Sequence, residues 1–221
     1  MINLKERVFN ILIKDYLKRG RPVGSKYLHK FYLKNISHST IRWYLRKLTK
    51  EELLINSKKN DGRIPTDKGW RFYFERNLNN KFRSTQFKLL KKNNENEIFD
   101  SLLKRFNLYG IIFYNSTYFI ESGLDYIIRN IEFNNKIYFV GLAYLIKNIK
   151  INNKINIKNN DDISILIGKE IGLLRCENFS VFTWQNFNKR YFLLSVKRIN
   201  YPQVYNLIKI NFKNGRRKIT I

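Results

Sequence analysis

A single cysteine, Cys176, excludes an intrachain disulfide, and two histidines, His29 and His38, leave a Cys/His zinc site short of ligands. No run of about 18 apolar residues occurs, so no transmembrane helix is expected. No apolar stretch follows a basic stub at the start, so no secretory signal is expected either. The sequence has no P-loop, no G-x-S-x-G and no paired carboxylates at a distinctive spacing, so no catalytic, cofactor-binding or metal-binding residue is assigned and no enzyme is expected. There is one alanine, Ala143, and only three prolines, while Asn, Lys, Ile, Phe and Tyr abound. Those abundant residues have A/T-rich codons, which points to an AT-biased genome in which Lys accumulates at neutral surface positions.

Acidic charge is scarce too. Against 43 Lys+Arg stand 17 Asp+Glu, a net charge of +26. That balance favours a polyanionic partner, either nucleic acid or an anionic membrane surface, for a soluble cytoplasmic protein. The excess is spread, +12 over residues 1–80 and +14 over 81–221, so position says more than total charge. With 43% hydrophobic and 15% aromatic residues a packed core is expected.

Leu4, Val8, Ile11, Leu12 and Tyr16 recur at helical spacing, and Gly20 and Pro22 end that first helix. Ser25 is an N-cap candidate for a short second helix with Leu28 and Phe31 facing inward. Ser37 caps a third over about 38–50, buried through Ile41, Tyr44, Leu45 and Leu48. "LLINS", "KKNDG" and "RIP" read as a hairpin, with Asp61-Gly62 supplying a positive φ at the turn and Pro65 at a strand end. Thr66 caps a fourth helix with Trp70, Tyr73, Phe74 and Leu78 inward. Three helices, a hairpin and a helix predict a winged helix-turn-helix over 1–80.

Residues 81–107 read as linker helices, the last with Ile98, Leu102 and Phe106 on its apolar side. From 108 to 221, "LYGIIFYN", "DYIIRNIEF", "KIYFVGLAYL", "IKNIKIN", "ISILIG", "FSVFTW" and "RYFLLSVK" read as strands, and "YPQVYNLIKINF" as a closing helix. The class expected is α+β with a mostly antiparallel sheet. "NNKINIKNNDD" is a loop tip.

Three stretches, "RGRPVGSKYL", "ISHSTIRWYLRKLTKEELL" and "GRIPTDKGWRFYF", together resemble the heat-inducible transcription repressor HrcA family. "ILIGKE", "CENFSVFT" and "VKRINYPQVYNLI" resemble its C-terminal part more weakly. The resemblance implies a winged helix followed by a GAF-like domain. It also implies a homodimeric repressor of chaperone genes on an inverted-repeat operator of double-stranded DNA, its activity modulated by the chaperonin. The sequence departs from the family in lacking the long insertion used in dimerisation and in carrying Trp43, Tyr44 and Lys47 in the recognition segment. An alternative class is a non-specific architectural DNA-binding protein. A biotin-ligase repressor shares the domain pairing, but its Gly-Arg-rich ATP/biotin loop is not found.

The candidate DNA-binding residues are Ser25, Ser39, Thr40, Arg42, Trp43, Arg46, Lys47, Lys58 and Arg63. Arg42 is suited to bidentate readout of guanine, to a phosphate, or to a salt bridge with Glu51 or Glu52. Trp43 can stack on sugar, meet a thymine methyl, or pack at the edge of the second helix. Ser39 and Thr40 can donate to DNA or cap their helix. Arg46, Lys47 and Lys58 are phosphate contacts or solvated charges, and Ser25 can touch phosphate at a helix start. Arg63 projects from the hairpin toward a narrow minor groove or braces Asp61 or Asp67. Cys176 reads as a buried small hydrophobe rather than a nucleophile.

Overall fold

The computed structural model describes residues 3–57, 61–78, 94–152 and 163–213. The chain forms two compact units, Met1–Asn77 and Leu78–Ile221. Together they are mixed helix and antiparallel sheet.

The first unit runs α1 (Leu4–Arg19), α2 (Ser25–Phe31), α3 (His38–Lys50), β1 (Leu54–Asn56), β2 (Arg63–Pro65) and α4 (Asp67–Asn77). Val8, Phe9, Leu12 and Ile13 of α1 meet Leu28, Ile41, Leu45 and Trp70 in a core that excludes water. α1 ends at Gly20, whose N–H donates to the Tyr16 carbonyl at 2.8 Å. One charge lies within this unit: the Asp15 carboxylate is fully buried, paired with the Arg19 guanidinium, and accepts from the Tyr32 hydroxyl at 2.8 Å. Arg19 in turn lies 3.9 Å over the Tyr27 ring, so α1 and α2 are joined by a satisfied buried charge. Donating that bond to a carboxylate holds the Tyr32 proton and pushes its pKa up to about 12.

Ser37 caps α3, accepting from the Thr40 N–H at 3.1 Å, and Thr66 caps α4, accepting from the Gly69 N–H at 2.9 Å. Ser25 does not cap α2. The residue before the helix is Gly24, and Ser25 is the first helical residue with its hydroxyl turned to α3. Phe31 is exposed rather than inward and stacks on Tyr27 at 4.5 Å, because Leu28 alone fills the space under this short helix. Gly62 is not in the left-handed region. A side chain there would lie 2.7 Å from the Val23 backbone, so the residue permits a close approach rather than a turn. The approach is used: Val23 and Arg63 exchange backbone hydrogen bonds of 3.0 and 3.1 Å, adding the α1–α2 loop to the β1–β2 hairpin.

The second unit runs α5 (Glu95–Phe106), β3 (Tyr109–Phe113), β4 (Phe119–Ser122), α6 (Leu124–Ile127), α7 (Lys136–Asn152), β5 (Ser164–Ile167), β6 (Phe179–Asn186), β7 (Lys189–Val196) and α8 (Tyr201–Ile208), with a π-helical turn at Lys209–Lys213. The sheet order is β4-β3-β7-β6-β5, every pair antiparallel. Alternation sends Tyr109, Ile111 and Phe113 toward α7, where they meet Leu142, Leu145 and Ile149. The opposite side is covered by α5 and α8. Gly110 admits the Phe99 ring, Phe182 stacks on Tyr201 at 5.8 Å, and Trp184 stacks on Tyr191 at 4.9 Å. The sheet is thus a middle layer, and β3 is buried along its whole length.

Several readings change here. "KIYFVGLAYL" and "IKNIKIN" form the single helix α7, and "DYIIRNIEF" contains α6 and a 3-10 turn over Ile131–Asn134. The helical period of α7 is masked because its outer side is apolar as well as its inner side. β4 has no alternation strong enough to mark it. The α5 side that is buried carries Phe99, Leu102 and Leu103, rotated from the Ile98–Phe106 line. Residues 81–93 and the "NNKINIKNNDD" tip from Asn153 to Asp162 lie outside the described residues. Among the described residues no helix is long and apolar enough to cross a membrane.

Two expectations follow. Gly69→Ala would place a methyl 2.0 Å from the Leu53 carbonyl oxygen, so the first unit should lose about 2 kcal/mol and melt about 10 °C lower in a circular-dichroism scan. Cys176 is fully buried and its thiol is pushed up to about 11 by burial, so it should resist Ellman's reagent at neutral to mildly alkaline pH and react only when the chain is denatured.

Candidate nucleic-acid interface

α3 has two sides. Ile41, Leu45 and Leu48 are buried, while Ser39, Arg42, Trp43, Arg46, Lys47 and Lys50 are exposed. Positions 39, 42, 43, 46 and 50 share one stripe because three and four residues complete a turn. The unit's core requires the first set, and so the same registry sends the second set outward.

Beside this stripe lies a groove of about 530 Å³ lined by Ser25 and Lys26 of α2, His38, Arg42 and Arg46 of α3, and the hairpin residues Asn56, Asp61 and Arg63. Arg63 does not project freely from the hairpin, nor does it brace Asp61 or Asp67. Its Nε donates to the Thr49 Oγ1 at 3.0 Å, and Thr49 donates onward to the Leu45 carbonyl at 2.9 Å. The guanidinium therefore lies back against α3, where its pKa is lowered by desolvation and by the neighbouring charges of Arg42 and Arg46. The hairpin edge can reach this far because Val23 and Gly62 hold it there.

The acids that might have neutralised the stripe are engaged elsewhere. Glu51 pairs with Lys5 at 2.8 Å and Glu52 with Lys68 at 3.0 Å. Among the described residues neither Arg42 nor Arg46 has a carboxylate in ion-pair reach, so the salt bridge from Arg42 to Glu51 or Glu52 does not form. Asp61 is the one acidic side chain lining the groove, and it accepts from the Ser57 hydroxyl. Three guanidiniums converging beside a single acidic side chain, with which none of them forms an ion pair, make a site whose electrostatic cost an anion would relieve.

At the upper end, Ser25 Oγ and His38 Nε2 are 2.8 Å apart, tying the start of α2 to the start of α3. The hydroxyls of Ser39 and Thr40 both lie 2.8 Å from Ser37 Oγ, so they form a capping cluster at the helix start. Trp43 is 56% exposed; its ring contacts are Tyr44 at 4.8 Å and the Lys47 ammonium at 5.5 Å, both on its own helix rather than on α2. Lys58 lies outside the described residues. Ser25, Arg42, Arg46 and Arg63 thus come together; Ser39, Thr40, Trp43 and Lys47 continue the same exposed side. Sequence reasoning missed Lys26, Asn56 and Thr49 as members or supports, and read His38, near a helix start, as a surface histidine ahead of one that faces DNA. Thr49 carried no signal.

No family model matches the chain. It is similar to heat-inducible transcription repressors HrcA: 37% identical over 75 residues to that of Chlorobium limicola, 38% over 71 residues to that of Natranaerobius thermophilus, and 45% over 60 residues to that of Chlamydia felis. Over about a third of its length the chain resembles HrcA. The matches take in 34%, 32% and 27% of this chain but 21%, 21% and 16% of those proteins, so the similarity spans about a fifth of the relatives' length. HrcA-like stretches of 71–77 residues have the size of the first compact unit. The fold as a whole recurs in a crystal structure of a hypothetical protein, with a TM-score of 0.75 at 15% identity over 96% of this chain and 95% of that one.

If the groove receives a phosphate backbone, Arg63→Ala should lower the slope of log affinity for duplex DNA against log salt by about 1. Thr49→Val, which removes the anchor of Arg63 and one bond within α3, should weaken binding several-fold with little change in melting temperature; equal affinities for both variants and the parent would place the contact elsewhere.

Proposed function

We propose that the protein is a sequence-specific DNA-binding repressor of heat-shock chaperone genes, acting in the cytoplasm as a homodimer on an inverted-repeat operator. The observation that carries this reading is the convergence of Arg42, Arg46 and Arg63 in one groove with no ion pair to a carboxylate among the described residues, within a unit the size of the HrcA-like match. In this reading residues 1–80 are a winged helix-turn-helix, 81–107 a linker and 108–221 a GAF-like domain. α3 enters the major groove and the β1–β2 hairpin is the wing.

Each side chain then has a task. The exposed guanidinium of Arg42 is free to take guanine O6 and N7 together, worth about 1–3 kcal/mol of discrimination. Arg46, Lys47 and Lys58 neutralise phosphates, and Ser25, Ser39 and Thr40 donate to them at the starts of α2 and α3. Trp43 covers sugar or a thymine methyl. Arg63, held against α3 rather than extended, contacts the backbone where the wing meets the recognition helix. Half-sites of an inverted repeat demand two such units related by a two-fold axis. A chaperonin that rescues partly folded chains would raise the active fraction, measurable as operator-binding yield with and without it.

A second reading, a non-specific architectural DNA-binding protein, draws on the +26 charge spread over both halves of the chain. Fluorescence anisotropy on an HrcA-type inverted repeat and a scrambled duplex, across a salt series, separates the two. The repressor reading expects a preference of about 10³ or more, much of it lost in Arg42→Ala. Equal binding of both duplexes, collapsing together with salt, would establish the second.

A further inference from the structure

We propose that the outer side of α7 is the surface through which two copies of this chain pair. The proposal deepens the repressor reading and rests on it for its purpose, which is to carry two basic units at once. In a chain with 27% charged residues, Ile137 to Ile146 carries none. Leu142 and Leu145 from this run are buried against the sheet, yet Ile137, Val140 and Tyr144 are 60%, 53% and 37% exposed, and Ile151 further along is 66% exposed. A helix run apolar on all sides belongs in an interior, and here its outer side has no cover among the described residues of the second unit.

The spacing favours a copy of itself as the cover. Ile137 and Ile151 stand seven residues on either side of Tyr144. Two α7 helices crossing antiparallel at Tyr144 would set Ile137 of each copy against Ile151 of the other. The same two-fold sets the two Lys147 residues on opposite sides of the crossing point, which keeps their ammoniums apart. Next to the ridge runs a groove of about 1170 Å³ between α6 and α7, walled by Leu124, Ile128, Phe139 and Ile146. Ridge and groove on one face are what an isologous contact requires, since each copy offers both halves. The groove's two carboxylates are already engaged, Glu121 by Lys150 at 2.5 Å and by the Tyr109 hydroxyl, Asp125 by Arg129 at 3.1 Å, so neither calls for a basic partner. α7 is about 25 Å long, so with the groove it offers on the order of 500 Å² per copy, about 1,000 Å² in total, at the lower bound for a specific interface. For a chain of charge +26, the uncharged stretch from Ile137 to Ile146 is also where two copies approach with least repulsion.

The test is sedimentation equilibrium of the full chain without DNA, at high salt, from about 1 to about 100 μM. The mass should rise from 26.8 kDa toward twice that value. Val140→Arg/Tyr144→Arg, both at exposed positions, should weaken association by at least about 10-fold while keeping the parent circular-dichroism spectrum. Phe187→Arg, an equal charge at a 75% exposed site on the β6–β7 turn, should associate like the parent. A monomeric parent throughout, a double variant that dimerises normally, or a monomer whose groove binds an apolar dye would each overturn the proposal. Binding to a single half-site duplex keeps the two readings apart. The double variant should retain it; a parent that dimerises but does not prefer the operator would sink the repressor reading and leave the dimer standing.

Discussion

Two backbone hydrogen bonds between Val23 and Arg63 are the constraint on which the first unit's basic face depends. They are possible because Gly62 has no side chain to strike Val23 at 2.7 Å. With the loop and the hairpin joined, the Arg63 side chain falls within reach of Thr49 on α3 and next to Arg42 and Arg46. Remove the join and Arg63 is no longer held beside Arg42 and Arg46, which stay one turn apart on α3. The core of Leu28, Ile41, Leu45 and Trp70 sets the rotation of α3, and the join sets where the hairpin stands beside it.

The second unit shows the same economy by other means. Its sheet is buried on both sides, so β3 and the buried parts of β6 and β7 are largely apolar, with Lys189 and Arg190 confined to the half-buried start of β7. Some polar groups of this unit are tied: Ser180 Oγ lies 2.6 Å from the Tyr201 hydroxyl, and Glu95 holds Lys189 at 2.8 Å at the start of α5, whereas Thr183 Oγ1 and Trp184 Nε1 are buried without a hydrogen-bond partner among the described residues. Arg198 and Glu132, both mostly buried, pair at 2.6 Å and fix the 3-10 turn ahead of α7. These anchors orient α7 while leaving its outer side bare.

Much of this was legible in the sequence, and the failures have physical reasons. Caps at Ser37 and Thr66, the stop at Gly20, and the strands around Ile165, Val181 and Leu193 each leave a local signature. α7 was read as strands because Ile, Tyr, Phe and Val favour both strands and buried helices, and periodicity vanishes when both sides of a helix are apolar. Gly62 was read as a turn glycine because Asp-Gly favours turns; its close contact is with a residue 39 positions away. The site fared similarly. Arg42 and Arg46 follow from the period of α3, whereas the fold-back of Arg63 onto Thr49 is a tertiary event with no sequence mark.

The most direct test of the account is an arginine side-chain NMR titration of the full chain with duplex DNA bearing the inverted repeat. The Nε–H resonances of Arg42, Arg46 and Arg63 should shift in step, with Arg190 and Arg198 unchanged. Shifts confined to arginines outside the groove, with those three unmoved, would contradict the claim that α3 and the hairpin together form the DNA-binding face.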